Sequence, residues 1–365
     1  MYSKKIHQLQ AKMREHGISN QLISDPSSIN YFTGYFTQPG ERMLLLVIHA
    51  EGNQHQLYLN RLFPSANLSE IQDHVIEVIV YNDGEPILNQ VAASLAEGPS
   101  SIDKYWPSHF LLDLLAIDSN IQAVNQSHLV DDLRAIKSPE EQALMAQASH
   151  YNDQAMEQLI PLIAQGLSEN ELKNHLGEIY LALSGNSFSF PPIIAFGANG
   201  ADPHHETDDS KPTLGNSVVI DIGSSYQGYC SDMTRTVFYG QPSAKALEIY
   251  AVVKQANEAA IAAIKPGVPF SHIDAIARDI ITQAGYGDYF THRLGHFIGR
   301  DVHEAGDVSA FNHQLIEEGH TFSIEPGIYL PGELGVRIED LVIATADGCK
   351  VLNHVTKEPI ILDVP

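Results

Sequence analysis

The sequence predicts an α/β N-terminal domain over residues 1–130, followed by a C-terminal domain of mixed helices and strands over residues 138–365, duplicated within itself. Three observations lead there. The chain has 365 residues, where one domain typically takes about 100–200. Its first third interleaves short apolar runs with helical stretches, an α/β pattern. From Ser138 onward a helix, helix, strand, strand order can be read twice, each time over roughly a hundred residues.

In chain order, residues 3–16 read as an amphipathic helix with Ser3 as N-cap and Gly17 as stop. Strands are expected at QLIS from 21, MLLLVI from 43, QLYL from 56 and IEVIVY from 76, with helices near 86–97 and 108–117. Ser138-Pro139-Glu140-Glu141 supplies a Ser cap, a Pro at the first helical position and a Glu three residues after the cap, so a long helix opens the second domain there. A second capping box, Ser168-Glu169-Asn170-Glu171, starts a helix ending near Gly185, and SVVIDIGSSYQGYCSDMTRTVFYG supplies strands. The pattern then restarts. Ser243 opens a helix closed by Pro266-Gly267, Ser271 caps another ending near Gly285, and HTFSIEPGIYLPGELGVRIEDLVIAT carries a second strand pair.

Composition narrows the function. Lys and Arg total 21 against 45 Asp and Glu, a formal charge of -24, which repels nucleic-acid phosphates and anionic lipids. Neither class of partner is expected. The N-terminus has no apolar signal-like region, and the longest aliphatic stretch, 43–48, is too short to cross a bilayer. Two cysteines, Cys230 and Cys349, make no disulfide framework and suit a reducing cytoplasm.

Acidic residues recur at like places in the two halves. Asp221 ends the apolar run Val218-Val219-Ile220, and Asp232 lies just past a Gly-containing turn, so both can face one side of a hairpin. Glu325 and Glu339 repeat this on strands TFSIE and VRIED, joined by a turn with Pro331 and Gly332. One Asp beside a turn ordinarily caps backbone N–H groups. Four carboxylates in apolar β runs are costly to bury unless paired or metal-bound. His296, in Leu294-Gly295-His296-Phe297-Ile298-Gly299, adds one nitrogen. That donor set suits Mn²⁺, Co²⁺ or Zn²⁺, and bridging carboxylates can hold two ions about 3.5–4 Å apart.

The segments DIGSSYQGYCSDMTRT, GHFIGRDVHE, SIEPGIY and VRIED, in this order, resemble the metal-ligand blocks of the creatinase and aminopeptidase P family of metallopeptidases, whose catalytic domain has the pita-bread fold. The blocks span most of residues 138–345. In length, N-terminal domain and the wording of all four blocks, the chain is most similar to the short bacterial Xaa-Pro dipeptidases, or prolidases. The resemblance implies that Asp221, Asp232, His296, Glu325 and Glu339 hold two divalent ions, Mn²⁺ before Co²⁺ or Zn²⁺. It places His204 near the scissile bond and His303 against the substrate, and gives Tyr329, Arg337, Thr234 and Thr236 the task of orienting ligands. It also implies a homodimer in which one N-terminal domain closes over the other subunit's site, with residues 36–41, from Phe36 to Glu41, as a lid.

The expected reaction is hydrolysis of Xaa-Pro dipeptides. Two bridged ions acidify water and polarise the carbonyl, Glu325 takes the water proton, and His204 and His303 hydrogen-bond the carbonyl oxygen. The Xaa-Pro bond is a tertiary amide with no N–H, and its nitrogen must be protonated as it leaves. A dipeptidase also needs a cation for the proline carboxylate. No Lys or Arg lies between His303 and Glu325, where some prolidases carry an Arg, but Arg293 and Arg300 bracket His296 and are the candidates. An aminopeptidase P acting on longer Xaa-Pro peptides is the alternative within the same chemistry. A metal-free binding homologue, or a creatinase-like enzyme working without metals, normally loses ligands, and this chain keeps all five. Nothing in the chain resembles the motifs of a two-metal phosphoesterase.

Overall fold

The computed structural model describes residues 2–63, 71, 75–184 and 188–364. The chain divides into two compact units, one ending at Arg134 and one beginning at Ala135.

In order, the first unit contains α1 (Tyr2–Glu15), β1 (Asn20–Ile23), α2 (Pro26–Thr33), β2 (Leu45–His49), β3 (His55–Asn60), β4 (Ile76–Tyr81), α3 (Ile87–Ser94), β5 (Pro99–Ile102), α4 (Ser108–Ile117) and β6 (Gln122–Val124), with α5 (His128–Ala135) at the boundary. Six strands form one sheet in the order β4-β3-β2-β1-β5-β6. Side-chain alternation sends Ile23, Leu46, Ile48, Leu57 and Leu59 to one core, and Leu22, Leu45, Val47 and Tyr58 to another. Because both faces are covered, the strands read as continuous apolar runs. Besides β6 and α5, for which no element was expected, three features depart from expectation. α1 already includes Tyr2, so Ser3 lies inside the first turn instead of capping it. β5 has no apolar run: its Ser100 and Ser101 are buried, and Asn20 Nδ2 donates to Ser100 Oγ at 3.0 Å. α2 is a short helix opened by the Asp25 side chain, which accepts from the Ser28 N–H.

The second unit contains α6 (Pro139–Ile163), α7 (Glu169–Ser184), β7 (Ile193–Phe196), β8 (Ser217–Ile222), β9 (Ser225–Tyr226), β10 (Tyr229–Cys230), β11 (Met233–Tyr239), α8 (Ala244–Ala263), α9 (Phe270–Gln283), β12 (Gly295–Phe297), β13 (Glu304–Val308), β14 (Thr321–Ile324), β15 (Gly327–Leu330), β16 (Leu334–Arg337), β17 (Asp340–Ala344), β18 (Cys349–Val351) and β19 (Ile360–Leu362). Both predicted capping boxes form, at Ser138 with Glu141 and at Ser168 with Glu171. The expected helix end at Gly185 lies outside the described residues. Each helix pair covers a sheet. Met156, Leu159, Leu176 and Tyr180 of α6 and α7 pack on Ile194, Val218, Ile220 and Val237 of the sheet β19-β11-β8-β7. Ile249, Val253, Ile273 and Ala277 of α8 and α9 pack on Phe297, Phe322 and Val342 of the sheet β13-β12-β14-β17-β18. This is the duplication the sequence predicts.

Two local expectations are corrected. Ser271 sits inside α9, whose N-cap is Pro269, and its hydroxyl lies 3.1 Å from His313 Nδ1. The Pro331–Gly332 turn joins β15 to β16, not the strands beside Glu325 and Glu339. Pro326 has no N–H for a ladder, so β14 stops before it. The chain leaves the sheet for the β15–β16 hairpin and returns as β17, with Ile324 opposite Asp340. Glu325 and Glu339 mark the two crossings. Among the described residues, no helix is long and apolar enough to cross a membrane.

Candidate metal centre

Where the two sheets meet, the duplicated acidic residues converge. Asp221 is the penultimate residue of β8, paired with Thr234, and Asp232 immediately precedes β11. His296 is the middle residue of β12, at a register shift that re-aims its side chain. Gly295 is required beside it, because a Cβ there would lie 1.9 Å from the Ser323 carbonyl oxygen. His296 Nε2 lies 3.5 Å from both Asp232 Oδ2 and Glu325 Oε1. Ligand-type atoms of Asp232, His296 and Glu339 fall within 4.8 Å of one another, and all three side chains are buried.

Neighbours take one oxygen of three of the four carboxylates, and the fourth, Asp232, meets the His296 ring. Arg337 Nη2 donates to Asp221 Oδ2 at 2.7 Å, Thr234 Oγ1 to Glu339 Oε2 at 2.7 Å, and Ser323 Oγ to Glu325 Oε1 at 3.0 Å. The opposite oxygens of three of them, Asp221 Oδ1, Asp232 Oδ1 and Glu339 Oε1, are buried with no hydrogen-bond donor. Burial pushes the Asp221 carboxyl up against the opposing pull of Arg337. Burial and the surrounding carboxylates push Asp232 and Glu339 well above the usual range. For Glu325 burial also acts upward, but His296, His292, Arg337 and the Ser323 hydroxyl together outweigh it and hold it low. Stacked carboxylates with unfilled inner oxygens are the donor set of divalent cations, and the residues present fit such ions.

A cavity of about 1090 Å³ opens onto these groups. His204, His303 and Arg293 line it. The His303 ring meets His296 edge-on, centroids 4.3 Å apart, and burial followed by the charges of His296 and Arg293 lowers its pKa to about 4. Arg300 does not line the cavity; its guanidinium lies over the Tyr229 ring, 4.6 Å from the centroid. Tyr329 and Arg337 lie beside Asp221 in one hydrogen-bonded chain. Arg337 Nη1 donates to Tyr329 Oη at 2.9 Å, and Arg337 Nε to Thr234 Oγ1 at 3.1 Å. Thr236 Oγ1 receives the Arg337 N–H and donates to its carbonyl.

Sequence reasoning missed two residues. His292 lines the cavity with Nε2 2.8 Å from Tyr329 Oη, its basicity lowered chiefly by burial. Its signal was a second His in the same segment as His296. Ser323 links Glu325 to the His296 N–H, at 2.9 Å from the latter, and a lone Ser inside a strand carries no signal. A second group, Glu169, His205 and Asp208, also has ligand-type atoms within 4.8 Å. There each Glu169 oxygen already accepts two hydrogen bonds, so no lone pair is left aimed at a cation.

Residues 143–346 match the family described as metallopeptidase family M24, and residues 5–136 match the creatinase/prolidase N-terminal domain. The chain belongs to metallopeptidase family M24. Among its M24 relatives, an uncharacterized peptidase of Staphylococcus aureus strain MSSA476 is 37% identical over 344 residues, 92% of this chain and 94% of its own. The crystal structure of a recombinant prolidase from Thermococcus sibiricus superposes with a TM-score of 0.91 at 34% identity, covering 99% of each chain. A structure of the Xaa-Pro dipeptidase from Bacillus anthracis gives 0.90 at 32% identity, covering 99% of this chain and 100% of the other. The M24 unit of this metallopeptidase thus has the pita-bread fold, preceded by a creatinase-type N-terminal domain.

Proposed function

We propose that the enzyme hydrolyses Xaa-Pro dipeptides at a centre of two divalent cations held by Asp221, Asp232, His296, Glu325 and Glu339. One observation carries the reading: three buried carboxylate oxygens without donors face the same cavity that holds His204, His303 and Arg293. Two such ions, Mn²⁺ before Co²⁺ or Zn²⁺ as the family resemblance implies, would supply Lewis acidity toward the scissile carbonyl and the attacking water.

The chain's own groups do the rest. Glu325 accepts the proton of the attacking water and returns it to the departing proline nitrogen, which has no proton of its own. His303, held neutral beside His296, and His204 donate hydrogen bonds to the carbonyl oxygen as its negative charge grows. The His292–Tyr329–Arg337 chain locks Asp221 in place. The Arg293 guanidinium, with no ion pair among the described residues, meets the proline carboxylate. Arg300 is engaged with Tyr229 and is not assigned that task.

The cavity volume favours a second reading, because about 1090 Å³ is at the upper end of ordinary small-ligand pockets and leaves room past a dipeptide. An Xaa-Pro aminopeptidase would use that room. Purified enzyme supplied with Mn²⁺ and assayed on Xaa-Pro, Xaa-Pro-amide and Xaa-Pro-Xaa separates them. Dipeptide turnover far above the other two is expected; preference for the tripeptide transfers the assignment to the aminopeptidase. The proposal includes a cytoplasmic homodimer, for which light scattering must give twice the chain mass of 40.1 kDa.

A further inference from the structure

The group Glu169, His205 and Asp208 lies outside the candidate metal centre and belongs to a set of hydrogen bonds around the segment that carries His204. Glu169 is the first residue of α7 and is 0% exposed. Its Oε1 accepts the Phe196 N–H at 2.9 Å and Asn199 Nδ2 at 2.9 Å. Its Oε2 accepts the Asp208 N–H at 3.0 Å and lies 2.7 Å from His205 Nε2, which carries the proton because the carboxylate can only accept. These four donors are drawn from the start, middle and end of one segment, 196–208, which carries His204. The backbone N–H of Glu169 donates to the Ser210 carbonyl and that of Asn170 to the Asp208 carbonyl, closing the segment onto the helix start. A buried carboxylate is favourable at this end of a helix, where the backbone dipoles present positive charge.

His204 itself has little to hold it. Its backbone N–H donates to Asp202 Oδ1 at 2.9 Å, but its imidazole lines the open cavity, and no hydrogen bond to it is formed among the described residues. The segment is also pressed against the β15–β16 hairpin: a Cβ on Gly335 of β16 would fall 1.7 Å from the Gly200 carbonyl oxygen, and Arg337 Nη1 reaches the Pro203 carbonyl at 3.5 Å. The position of His204 therefore follows the path of the 196–208 backbone, where four hydrogen bonds to Glu169 add to the Thr207 tie to Pro192 and the pairing of Phe196 with Val218.

We infer that Glu169 is a positioning residue for the reaction, fixing His204 against the scissile carbonyl by gathering segment 196–208 around its carboxylate, with His205 and Asn199 as the side-chain ties. This rests on the proposed function, in which His204 hydrogen-bonds the carbonyl oxygen. Glu169 touches none of the five proposed cation donors, so its effect passes through the segment it gathers; transmission by way of His204 is the route that a double-mutant cycle isolates, against the alternative route from Pro203 to Arg337.

The test is a double-mutant cycle on the Mn²⁺-loaded enzyme with an Xaa-Pro dipeptide. Glu169→Gln is expected to lower kcat at least tenfold with KM within twofold and metal content unchanged. In a His204→Ala background the same substitution is expected to cost less than twofold. An equal factor in both backgrounds overturns the proposal, as does metal loss in Glu169→Gln. If that variant does not accumulate folded, His205→Phe and Asn199→Ala, each removing one donor, are judged by the same cycle. Hydrogen exchange of segment 196–208 supplies a readout without substrate: it must accelerate in whichever variant is used, and unchanged exchange rejects the inference. A wild-type enzyme that fails to cleave Xaa-Pro with metal present rejects the proposed function instead, and exchange then decides the anchoring alone.

Discussion

Thr234 shows how much of a metal site lies one bond away from the ligands. Its hydroxyl donates to Glu339 and accepts from Arg337, so it settles which Glu339 oxygen remains for a cation. Thr234→Val keeps the shape and removes both bonds. Mn²⁺ affinity, measured by calorimetric titration, should fall about 10–100-fold; unchanged affinity would remove Thr234 from the site. Arg293 acts on substrate. Arg293→Ala should raise KM for Xaa-Pro dipeptides about tenfold or more, the worth of a charge-assisted hydrogen bond, while leaving KM for the Xaa-Pro-amide alone. A rise of the same size on both substrates would mean that Arg293 does not read the carboxylate. The five candidate donors stood out in the sequence because their residue types are improbable inside apolar β runs. Ser323 was not, because a Ser in a strand looks the same whether or not it orients a carboxylate.

At the scale of elements, the site depends on the close approach of β12 to β14. Gly295→Ala would force a methyl group 1.9 Å from the Ser323 carbonyl oxygen, so the strands must separate, moving His296 and Ser323 together. Overpacking of this kind costs about 1–3 kcal/mol. A lower melting temperature together with bound-metal loss is expected; full metal content in a folded Gly295→Ala protein would show that the strand spacing is not what sets the centre. Helix starts were readable where a capping box marks them locally, as at Ser138 and Ser168, and were misplaced at Ser3 and Ser271, where a Ser alone was the signal. Strand connections were not. Whether the Pro331–Gly332 turn joined the strands next to Glu325 and Glu339 depended on which strands pair, and that is decided by partners far along the chain.

For the molecule as a whole, acid sensitivity follows from buried neutral histidines. His55, in the first unit, is held at about 4 by burial and then by the charges of His49 and His7. His320, in the second, is held at about 4 by burial and then by Lys137. In the unfolded chain both titrate near about 6.5. Between those values the unfolded state binds protons that the native state does not, so their contribution to stability is fully present above about 6.5 and is lost as pH falls toward 4. Melting temperatures should drop from pH 7 to pH 5, and His320→Gln, which keeps an acceptor for the Glu317 N–H, should lessen the drop. A variant with the same pH slope as wild type would show that His320 does not titrate in this window.

From the sequence alone one obtains the two-part organisation, the repeated helix-and-strand order, the five candidate donors and the family they resemble, because periodicity, caps and residue chemistry are local properties. Tertiary structure decided the rest. Thr234 meets Glu339 across 105 positions and Arg337 meets Asp221 across 116. Only such long-range approach leaves three carboxylate oxygens bare, turns Arg293 to the cavity and Arg300 to Tyr229, and ties the His204 segment to Glu169. A residue's partners at that separation are fixed by how sheets and helices pack, and no window along the chain contains both.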